Sequence, residues 1–457
     1  MEKRESLDLL IRGGTLLTMS EDMEIMESPE IGIRDGNILF VKEKGKEPFL
    51  YDAKEIIDAS GSIIMPGLIN THTHLPMVAF RGLADDLALM DWLHNHIFPV
   101  EAKFVNREMV YHSSLLSMAE MLLSGTTTFC DGYFFEDGVA EAALYTGMRG
   151  VPCQGFVDFP TSDIPDPEKR VAVAETFIEK WSDVSPLINP ALFCHAPYTC
   201  SPETLSTIKG IARAANVPFL IHLAETKGEV ADIEKRYGNT PTRHLHGLGV
   251  LDENTIAVHC VWLEDEEIQI LAEHGVKVSH NPESNMKLAA GIAPIPEMLK
   301  RGITVGIGTD GAASNNNLDL LTEMDTAAKL HKVASMDPTV MDAKTVLKMA
   351  TIEGAKVLGL DDQVGSIEIG KRADIIIIDC RKPHLTPMYN PYSHIVYSAS
   401  GADVSVTIID GKVIMMNRHL LNMNIDDIIK RIIKISEDIG SFSDRRTYIS
   451  TTTAAGD

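Results

Sequence analysis

The middle of the chain alternates between short apolar runs, which are typical of buried strands, and longer stretches with apolar residues at helical spacing. Because buried parallel strands read as continuous apolar runs, eight such units joined by helices predict an α/β fold, a TIM-type (β/α)8 barrel. The functional side chains of such a barrel collect at the C-terminal ends of its strands. The predicted strands span residues 67–74, 126–131, 151–158, 191–198, 219–224, 256–262, 276–280 and 303–309. The predicted helices span residues 107–123, 171–181, 202–214, 263–274, 318–332 and 343–358.

Both ends of the chain have a different pattern, with short alternating strands separated by glycine-containing turns. Asp35-Gly36 and Asp410-Gly411 each stand between apolar alternations, which is a strong hairpin signal. We therefore expect residues 1–65 and 373–420 to combine into one small β-sandwich. Residues 66–372 would form the barrel.

The last part of the chain, residues 421–457, is predicted to lie outside both units. Apolar residues recur at helical spacing over residues 424–438 with Lys and Glu between them, which predicts a surface helix. From residue 451 the side chains become small and polar, so we expect a frayed tail.

Composition and charge exclude several classes of partner. The 41 Lys and Arg residues against 65 Asp and Glu residues give a formal net charge of -24, which repels nucleic acid and anionic lipid.

The 6 cysteines are scattered without a Cys-x-x-Cys motif, so we expect reduced core thiols. Since no signal peptide is visible and no apolar stretch reaches the roughly 18 residues of a membrane span, we expect a cytoplasmic protein.

Two histidines with alternate spacing end the first predicted barrel strand. His72 and His74 share one face because the side chains of a strand repeat every two residues. His222 and Asp310 also stand at the C-terminal ends of apolar runs. The four residues would form a cage of three nitrogens and one oxygen for a borderline cation such as zinc, with one position open for water. A lone His-x-His is more often a pair of surface or core histidines, and the other strand-end residues favour the metal site.

Three acidic or imidazole side chains are candidates for proton transfer. A dication lowers the pKa of bound water from about 16 to roughly 7, and we expect Asp310 to take the proton of that water as well as to bind the metal. Glu225, three residues after His222, could carry a proton to a substrate nitrogen and then to a leaving amine. The alternative for Glu225 is an exposed acid at the barrel rim. His259 could hold the hydroxide or the developing oxyanion, or be a packed core histidine.

Three segments carry a family resemblance: residues 66–74 (PGLINTHTH), 279–285 (SHNPESN) and 308–315 (GTDGAASN). They resemble the amidohydrolase superfamily, and more narrowly its 5-methylthioadenosine/S-adenosylhomocysteine deaminases and their chlorohydrolase-like neighbours. The resemblance implies a barrel with a flanking β-sandwich and one divalent metal, usually zinc. It implies the same four metal ligands as above, and it implies that Glu225 and His259 are the pair that transfers protons. Members with two metals usually carry a bridging lysine at the end of strand 4. Residues 191–197 contain no lysine, so we expect one metal.

The resemblance also implies substrate contacts. In adenosine-type deaminases a glutamate after the first strand binds the ribose hydroxyls, and Glu101 matches that glutamate. The alternative is that Glu101 is an ordinary acidic residue at a helix start. His195 matches a contact on the purine or ribose side, and Arg149 matches an arginine that meets the carboxylate of S-adenosylhomocysteine. Several relatives have a second arginine where this chain has Gln154, which favours neutral nucleosides. Trp92 could cover the 5-substituent or anchor a loop. The expected substrate contacts are Glu101, Arg149, His195, His222 and Trp92.

The expected reaction is hydrolytic deamination of an adenine nucleoside to the inosine analogue with release of ammonia. The substrate would be 5-methylthioadenosine, S-adenosylhomocysteine, 5-deoxyadenosine or adenosine. The same mononuclear site would also suit a guanine or oxidised-purine deaminase, or a triazine-type chlorohydrolase. A non-catalytic scaffold is a third hypothesis, which the retention of every ligand and proton-transfer candidate disfavours. Barrels of this family commonly associate through surface helices, so we expect a homo-oligomer.

Overall fold

The computed structural model describes residues 5–43 and 51–454, and for residues 443–454 it describes the helical backbone alone. The strands are β1 (Glu5–Arg12), β2 (Thr15–Leu17), β3 (Ile25–Glu27), β4 (Pro29–Arg34), β5 (Asn37–Glu43), β6 (Tyr51–Asp58), β7 (Ser62–Pro66), β8 (Leu68–Thr73), β9 (Thr126–Tyr133), β10 (Arg149–Phe156), β11 (Ala191–Cys194), β12 (Phe219–Leu223), β13 (Thr255–His259), β14 (Lys277–His280), β15 (Val305–Ile307), β16 (Ile375–Asp379), β17 (Val404–Ile409), β18 (Lys412–Met416) and β19 (His419–Leu420).

The α-helices are α1 (Leu89–Asp91), α2 (Phe98–Phe104), α3 (Arg107–Leu123), α4 (Glu136–Thr146), α5 (Arg170–Trp181), α6 (Pro202–Ala215), α7 (Lys227–Tyr237), α8 (Pro241–Gly247), α9 (Asp265–Glu273), α10 (Pro282–Lys287), α11 (Ile295–Lys300), α12 (Leu320–Ser335), α13 (Ala343–Met349), α14 (Ile352–Leu358), α15 (Pro391–Tyr397) and α16 (Ile425–Ala454). A π-helix covers Trp92–Ile97. Short 3-10 helices cover Leu75–Phe80, Pro167–Lys169, Pro383–Leu385 and Gly401–Asp403.

A sheet of eight parallel strands forms the centre of the molecule. Strands β8 to β15 are neighbours in chain order, and all eight coincide with predicted runs. The two edge strands meet where the backbone N–H of Asp310 donates to the carbonyl of His72 at 3.0 Å. Beside this contact the Asn70 side chain bonds both the backbone N–H and the hydroxyl of Thr309, at 3.1 and 2.8 Å. The sheet therefore closes, and the predicted (β/α)8 barrel is confirmed.

One predicted helix is wrong, because residues 343–358 form two helices, α13 and α14. The carbonyl oxygen of Ala350 accepts a hydrogen bond from the backbone N–H of Ile69 on β8 at 2.9 Å. Thr351 follows with φ -131° and ψ -102°, outside the helical region. A contact with the barrel strand therefore interrupts the helix, and apolar spacing carries no sign of such a contact.

The two chain ends build two further sheets. One has the strand order β5-β4-β1-β6, and the other has the order β19-β18-β17-β16-β7-β2-β3. In the second sheet β16 pairs with β7, so strands from both ends of the chain are needed to complete it. Both sheets contribute to one apolar core that includes Ile11, Ile33, Ile64, Ile375 and Ile408. The predicted sandwich from both chain ends is confirmed.

Helix α16 lies against α2 and α3 at the outside of the barrel. The ring of Phe442 packs on that of Phe104 with a centroid distance of 5.6 Å, and the guanidinium of Arg431 pairs with Glu108. The predicted frayed tail from residue 451 is wrong as far as Ala454, because adding residues to an existing helix is much easier than starting one. Residues 455–457 of that prediction lie outside the described part of the chain. None of the described helices has the length and apolarity needed to cross a membrane.

Candidate active site

The four predicted metal ligands lie together at the C-terminal mouth of the barrel. His72 is on β8 and His74 follows that strand, while His222 is on β12 and Asp310 follows β15. The Nε2 atoms of His72 and His222 are 3.2 Å apart. The Oδ1 atom of Asp310 lies 3.5 Å from His72 Nε2 and 3.3 Å from His74 Nε2. Side chains separated by up to 238 positions in the chain, 72 to 310, therefore converge on one point.

The arrangement of these atoms fits a divalent cation. Ligands bound tetrahedrally at about 2.0 to 2.1 Å lie roughly 3.3 Å from one another, close to the separations found here. His74 Nδ1 donates to the carbonyl of Gly132 at 2.5 Å, which leaves the Nε2 lone pair directed at the cluster. Asp310 Oδ2 accepts from the hydroxyls of Ser284 and Ser314, so its other oxygen faces the imidazoles.

The ionisation states in the cluster also suit metal binding. Burial lowers the pKa of His72 to about 4 and holds that of His222 well below its ordinary value, so both imidazoles are neutral at pH 7. Burial alone would raise the pKa of Asp310, but its hydrogen bond with His72 and the neighbouring imidazoles hold that pKa well below the usual range. Neutral imidazoles and an ionised carboxylate are the forms that bind metals.

Left-handed backbone residues turn the chain over the barrel mouth. Ala224, His259 and Asp310 follow or end their strands with φ values of 51°, 71° and 59°. Side-chain-bearing residues rarely adopt such angles, and those that do cluster at functional sites. Each turn directs a side chain or the next residue inward from the end of its strand.

Glu225 and His259 lie side by side at the edge of the metal cluster. His259 Nε2 is 3.8 Å from Glu225 Oε2, and His259 Nδ1 bonds to Asn285 Oδ1 at 2.9 Å. The Glu229 carboxylate accepts hydrogen bonds from the backbone N–H groups of Ala224 and Glu225 at 2.9 and 2.8 Å. These bonds fix the backbone from which the Glu225 side chain extends. Burial, with a further contribution from the charge of Asp310, raises the pKa of Glu225 to about 8. Glu225 is 5% exposed, so it is a buried residue and not an exposed acid at the barrel rim.

A cavity of about 1080 Å³, its open mouth included, extends outward from the metal cluster. Trp92 from the π-helix, Glu101 from α2 and His195 after β11 all line it, together with Glu225, His259 and Asp310. His195 Nδ1 bonds to the hydroxyl of Thr199 at 2.9 Å. Much of the remaining wall is apolar, and the described lining residues include no lysine or arginine.

The structure contradicts one predicted substrate contact, Arg149. This residue begins β10, and the seven steps to Phe156 at about 3.3 Å each place it roughly 23 Å from the cavity end of the strand. Its fully buried guanidinium bonds to Asp374 through Nε at 2.7 Å and through Nη2 at 3.1 Å. A third bond runs from Nη1 to the carbonyl of Pro186 at 2.8 Å. Arg149 is thus committed to an internal ion pair and cannot meet a substrate carboxylate.

Several residues of the site were not predicted. Ser284, Asn285 and Ser314, which hold Asp310 and His259, lie inside two of the three segments that carry the family resemblance. The available signal was the presence of polar side chains within a few residues after the ends of β14 and β15. Tyr133, whose hydroxyl donates to Glu101 Oε1 at 2.5 Å, had no signal beyond its place at the end of the second barrel strand.

The chain is similar to known proteins along most of its length. Residues 63–414 match the model of the amidohydrolase family. A 5-methylthioadenosine/S-adenosylhomocysteine deaminase from Syntrophobacter fumaroxidans is 48% identical over 432 residues, which cover 94% of this chain and 98% of that protein. A 5'-deoxyadenosine deaminase from Methanosarcina mazei is 43% identical over 433 residues, with coverage of 94% and 98%. The crystal structure of an adenosine deaminase from Xanthomonas campestris with bound zinc has a TM-score of 0.94 and 36% identity, and covers 96% of this chain and 100% of its own.

Proposed function

The chain belongs to the amidohydrolase family, and from this premise we propose that it is a zinc-dependent enzyme that hydrolytically deaminates an adenine nucleoside. The observation that carries the proposal is the convergence of three imidazoles and a carboxylate beside the buried acid Glu225, at the base of a cavity that also contains Glu101. Relatives that are named deaminases of adenine nucleosides support the same reaction.

We propose that His72, His74, His222 and Asp310 hold one zinc ion. The distances, the neutral imidazoles and the ionised carboxylate support this assignment, as does the zinc in the related adenosine deaminase. When bound, the ion would supply a water molecule acidic enough to ionise near neutral pH.

The remaining work of the reaction is proton transfer by this chain's own side chains. Asp310 takes one proton from the attacking water, and Glu225, protonated near neutral pH because it is buried, gives a proton to ring nitrogen N1. His259, oriented by Asn285, supports the attacking oxygen. The hydroxyl group added at C6 then gives its proton to Glu225 and becomes the carbonyl. The proton held by Asp310 goes to the amino group, which leaves as ammonia.

The lining of the cavity suggests how the nucleoside is recognised. Glu101 can accept hydrogen bonds from both ribose hydroxyls, and His195 lies where it can contact the purine or ribose. Trp92, Leu93 and Phe98 offer an apolar surface to the 5'-substituent. Without a lysine or arginine among the described lining residues, the carboxylate of S-adenosylhomocysteine would lose its water without gaining a partner. We therefore propose that 5'-deoxyadenosine, 5-methylthioadenosine and adenosine are better substrates.

Ammonia release from a nucleoside panel tests the proposal. The zinc-loaded enzyme is expected to deaminate 5'-deoxyadenosine, 5-methylthioadenosine and adenosine with kcat/KM at least about 10-fold above that for S-adenosylhomocysteine. A ratio of about 10 is the effect expected from the loss of one charge-assisted hydrogen bond. Guanosine, guanine and a chlorotriazine serve as comparison compounds. Reaction with only these last three would overturn the substrate assignment and support the guanine deaminase or chlorohydrolase alternative.

We also propose that the enzyme is a homo-oligomer. Helix α16 leaves Ile429 and Ile433 exposed by 40% and 53%, one turn apart on its surface, and we place the face for self-association there. The mass in solution by light scattering tests this, and a value equal to one chain of 50.1 kDa would contradict it.

A further inference from the structure

Glu101 and Tyr133 form a buried pair in the wall of the cavity. Glu101 lies on α2 and Tyr133 ends β9, and their relative exposures are 8% and 5%. The Tyr133 hydroxyl donates to Glu101 Oε1 at 2.5 Å. Among the residues that the structure describes, Tyr133 is the only one whose side chain donates a hydrogen bond to this carboxylate.

Burial and the contact with Tyr133 have opposite effects on the charge of Glu101. Burial raises the pKa of Glu101 to about 7, and the hydrogen bond from Tyr133 acts in the opposite direction. Burial and the nearby Glu101 raise the pKa of Tyr133 well above its ordinary value, so the phenol remains a donor. Without the phenol, the carboxyl would rest in a cavity wall that includes the apolar residues Trp92, Phe98 and Val105 and would be more often protonated.

Building on the proposed function, we propose that Tyr133 is a positioning residue that determines specificity. It holds the Glu101 carboxylate in the orientation and in the ionised form that bind the ribose cis-diol. A carboxylate has about four lone-pair sites, so one bond from the phenol leaves enough acceptors for both ribose hydroxyls. The bond also fixes the carboxylate plane, which saves the entropy of ordering a rotatable side chain when the nucleoside binds. Tyr133 therefore acts through Glu101 on the sugar and leaves the chemistry at C6 untouched.

A double-mutant cycle with two nucleosides tests this inference. Tyr133→Phe, Glu101→Gln and the double variant are compared on adenosine and on 2',3'-dideoxyadenosine, which has no cis-diol. For adenosine, Tyr133→Phe is expected to raise KM about 10-fold, the size of one hydrogen bond to a charged group, with kcat changed less than about 2-fold. For the dideoxy nucleoside KM should stay within about 2-fold. In the Glu101→Gln background, replacing Tyr133 should add little further loss of diol selectivity.

Product binding provides a readout that is independent of turnover. The affinity for inosine should fall about 10-fold in Tyr133→Phe, whereas that for 2',3'-dideoxyinosine should not change, as measured by calorimetry on folded variants with wild-type melting midpoints. Equal losses for both sugars, or full additivity with Glu101→Gln, would overturn the inference and leave the deaminase proposal standing. If no adenine nucleoside reacts with the unaltered enzyme, the proposed function fails instead. Should Tyr133→Phe misfold, Tyr133→His, which keeps a ring donor, must retain part of the diol selectivity.

Discussion

Two of the three proposed catalytic side chains, those of Asp310 and His259, are held by other polar residues. The two hydroxyls that bond Asp310 Oδ2 come from Ser284 and Ser314, at 2.6 and 2.9 Å. His259 is fixed through its Nδ1 by Asn285. Such supporting bonds keep a reacting group in one orientation, so that less ordering is needed when substrate binds. The site is therefore arranged before the nucleoside arrives.

Glu225→Gln tests the proposed proton carrier. The amide keeps the size of the side chain but cannot give up a proton at neutral pH, so kcat on 5'-deoxyadenosine is expected to fall about 10² to 10⁴-fold. The zinc content by atomic absorption should remain at one per chain, because Glu225 is not a proposed ligand. The matched control Glu234→Gln, on the exposed side of α7, should keep wild-type kcat. A loss of less than about 10-fold in Glu225→Gln would remove the residue from the reaction.

Arg149→Met tests the internal ion pair between β10 and the residue before β16. Removing one partner leaves the carboxylate of Asp374 buried and unpaired, so the free energy of unfolding is expected to fall by about 3 to 5 kcal/mol in denaturant titrations. The ratio of kcat/KM for 5'-deoxyadenosine and S-adenosylhomocysteine should not change, since Arg149 lies far from the cavity. Lys329→Met, which breaks the exposed pair with Asp325, should cost less than about 1 kcal/mol. A change in the substrate ratio with normal stability would restore Arg149 as a substrate contact.

The sequence allowed the barrel, the sandwich and the grouping of strand-end side chains to be predicted, because these follow from periodicity and strand direction. Arg149 was misplaced because a motif match gives residue identity, whereas its distance from the cavity depends on where β10 begins. The break between α13 and α14 was missed because it results from a hydrogen bond between Ala350 and Ile69, far apart in sequence. The contact between Tyr133 and Glu101 likewise joins two elements whose relative placement is set only by tertiary packing.

Gly308→Ala tests the close approach of β15 to β8 at the metal cluster. A Cβ at Gly308 would lie 2.8 Å from the backbone N and O of His72 and from Asn281 Oδ1, so the strands must separate. We expect zinc affinity to fall about 10 to 100-fold, as for other changes behind a metal ligand, with a stability loss of about 1 to 3 kcal/mol. Gly210→Ala on α6, where nothing lies within 4 Å of the added atom, should leave zinc affinity unchanged. Unaltered zinc affinity in Gly308→Ala, measured by competition with a chelator, would contradict the idea that this contact sets the ligand spacing.

The proposed ligands come from β8, β12 and the turn after β15, so a bound ion would join the first, fifth and last strands of the closed sheet. A ligand that binds only the folded chain stabilises it by RT ln(1 + [L]/Kd), which is about 4 kcal/mol when free zinc is 1,000-fold above Kd. Removing the metal with a chelator is therefore expected to abolish deamination and to lower the thermal midpoint, and zinc should restore both. Asp310→Asn should show a much smaller midpoint change on zinc addition, whereas the exposed control His246→Asn should respond like the unaltered enzyme. An equal response in Asp310→Asn would place the stabilising ion elsewhere and separate the metal from the barrel mouth.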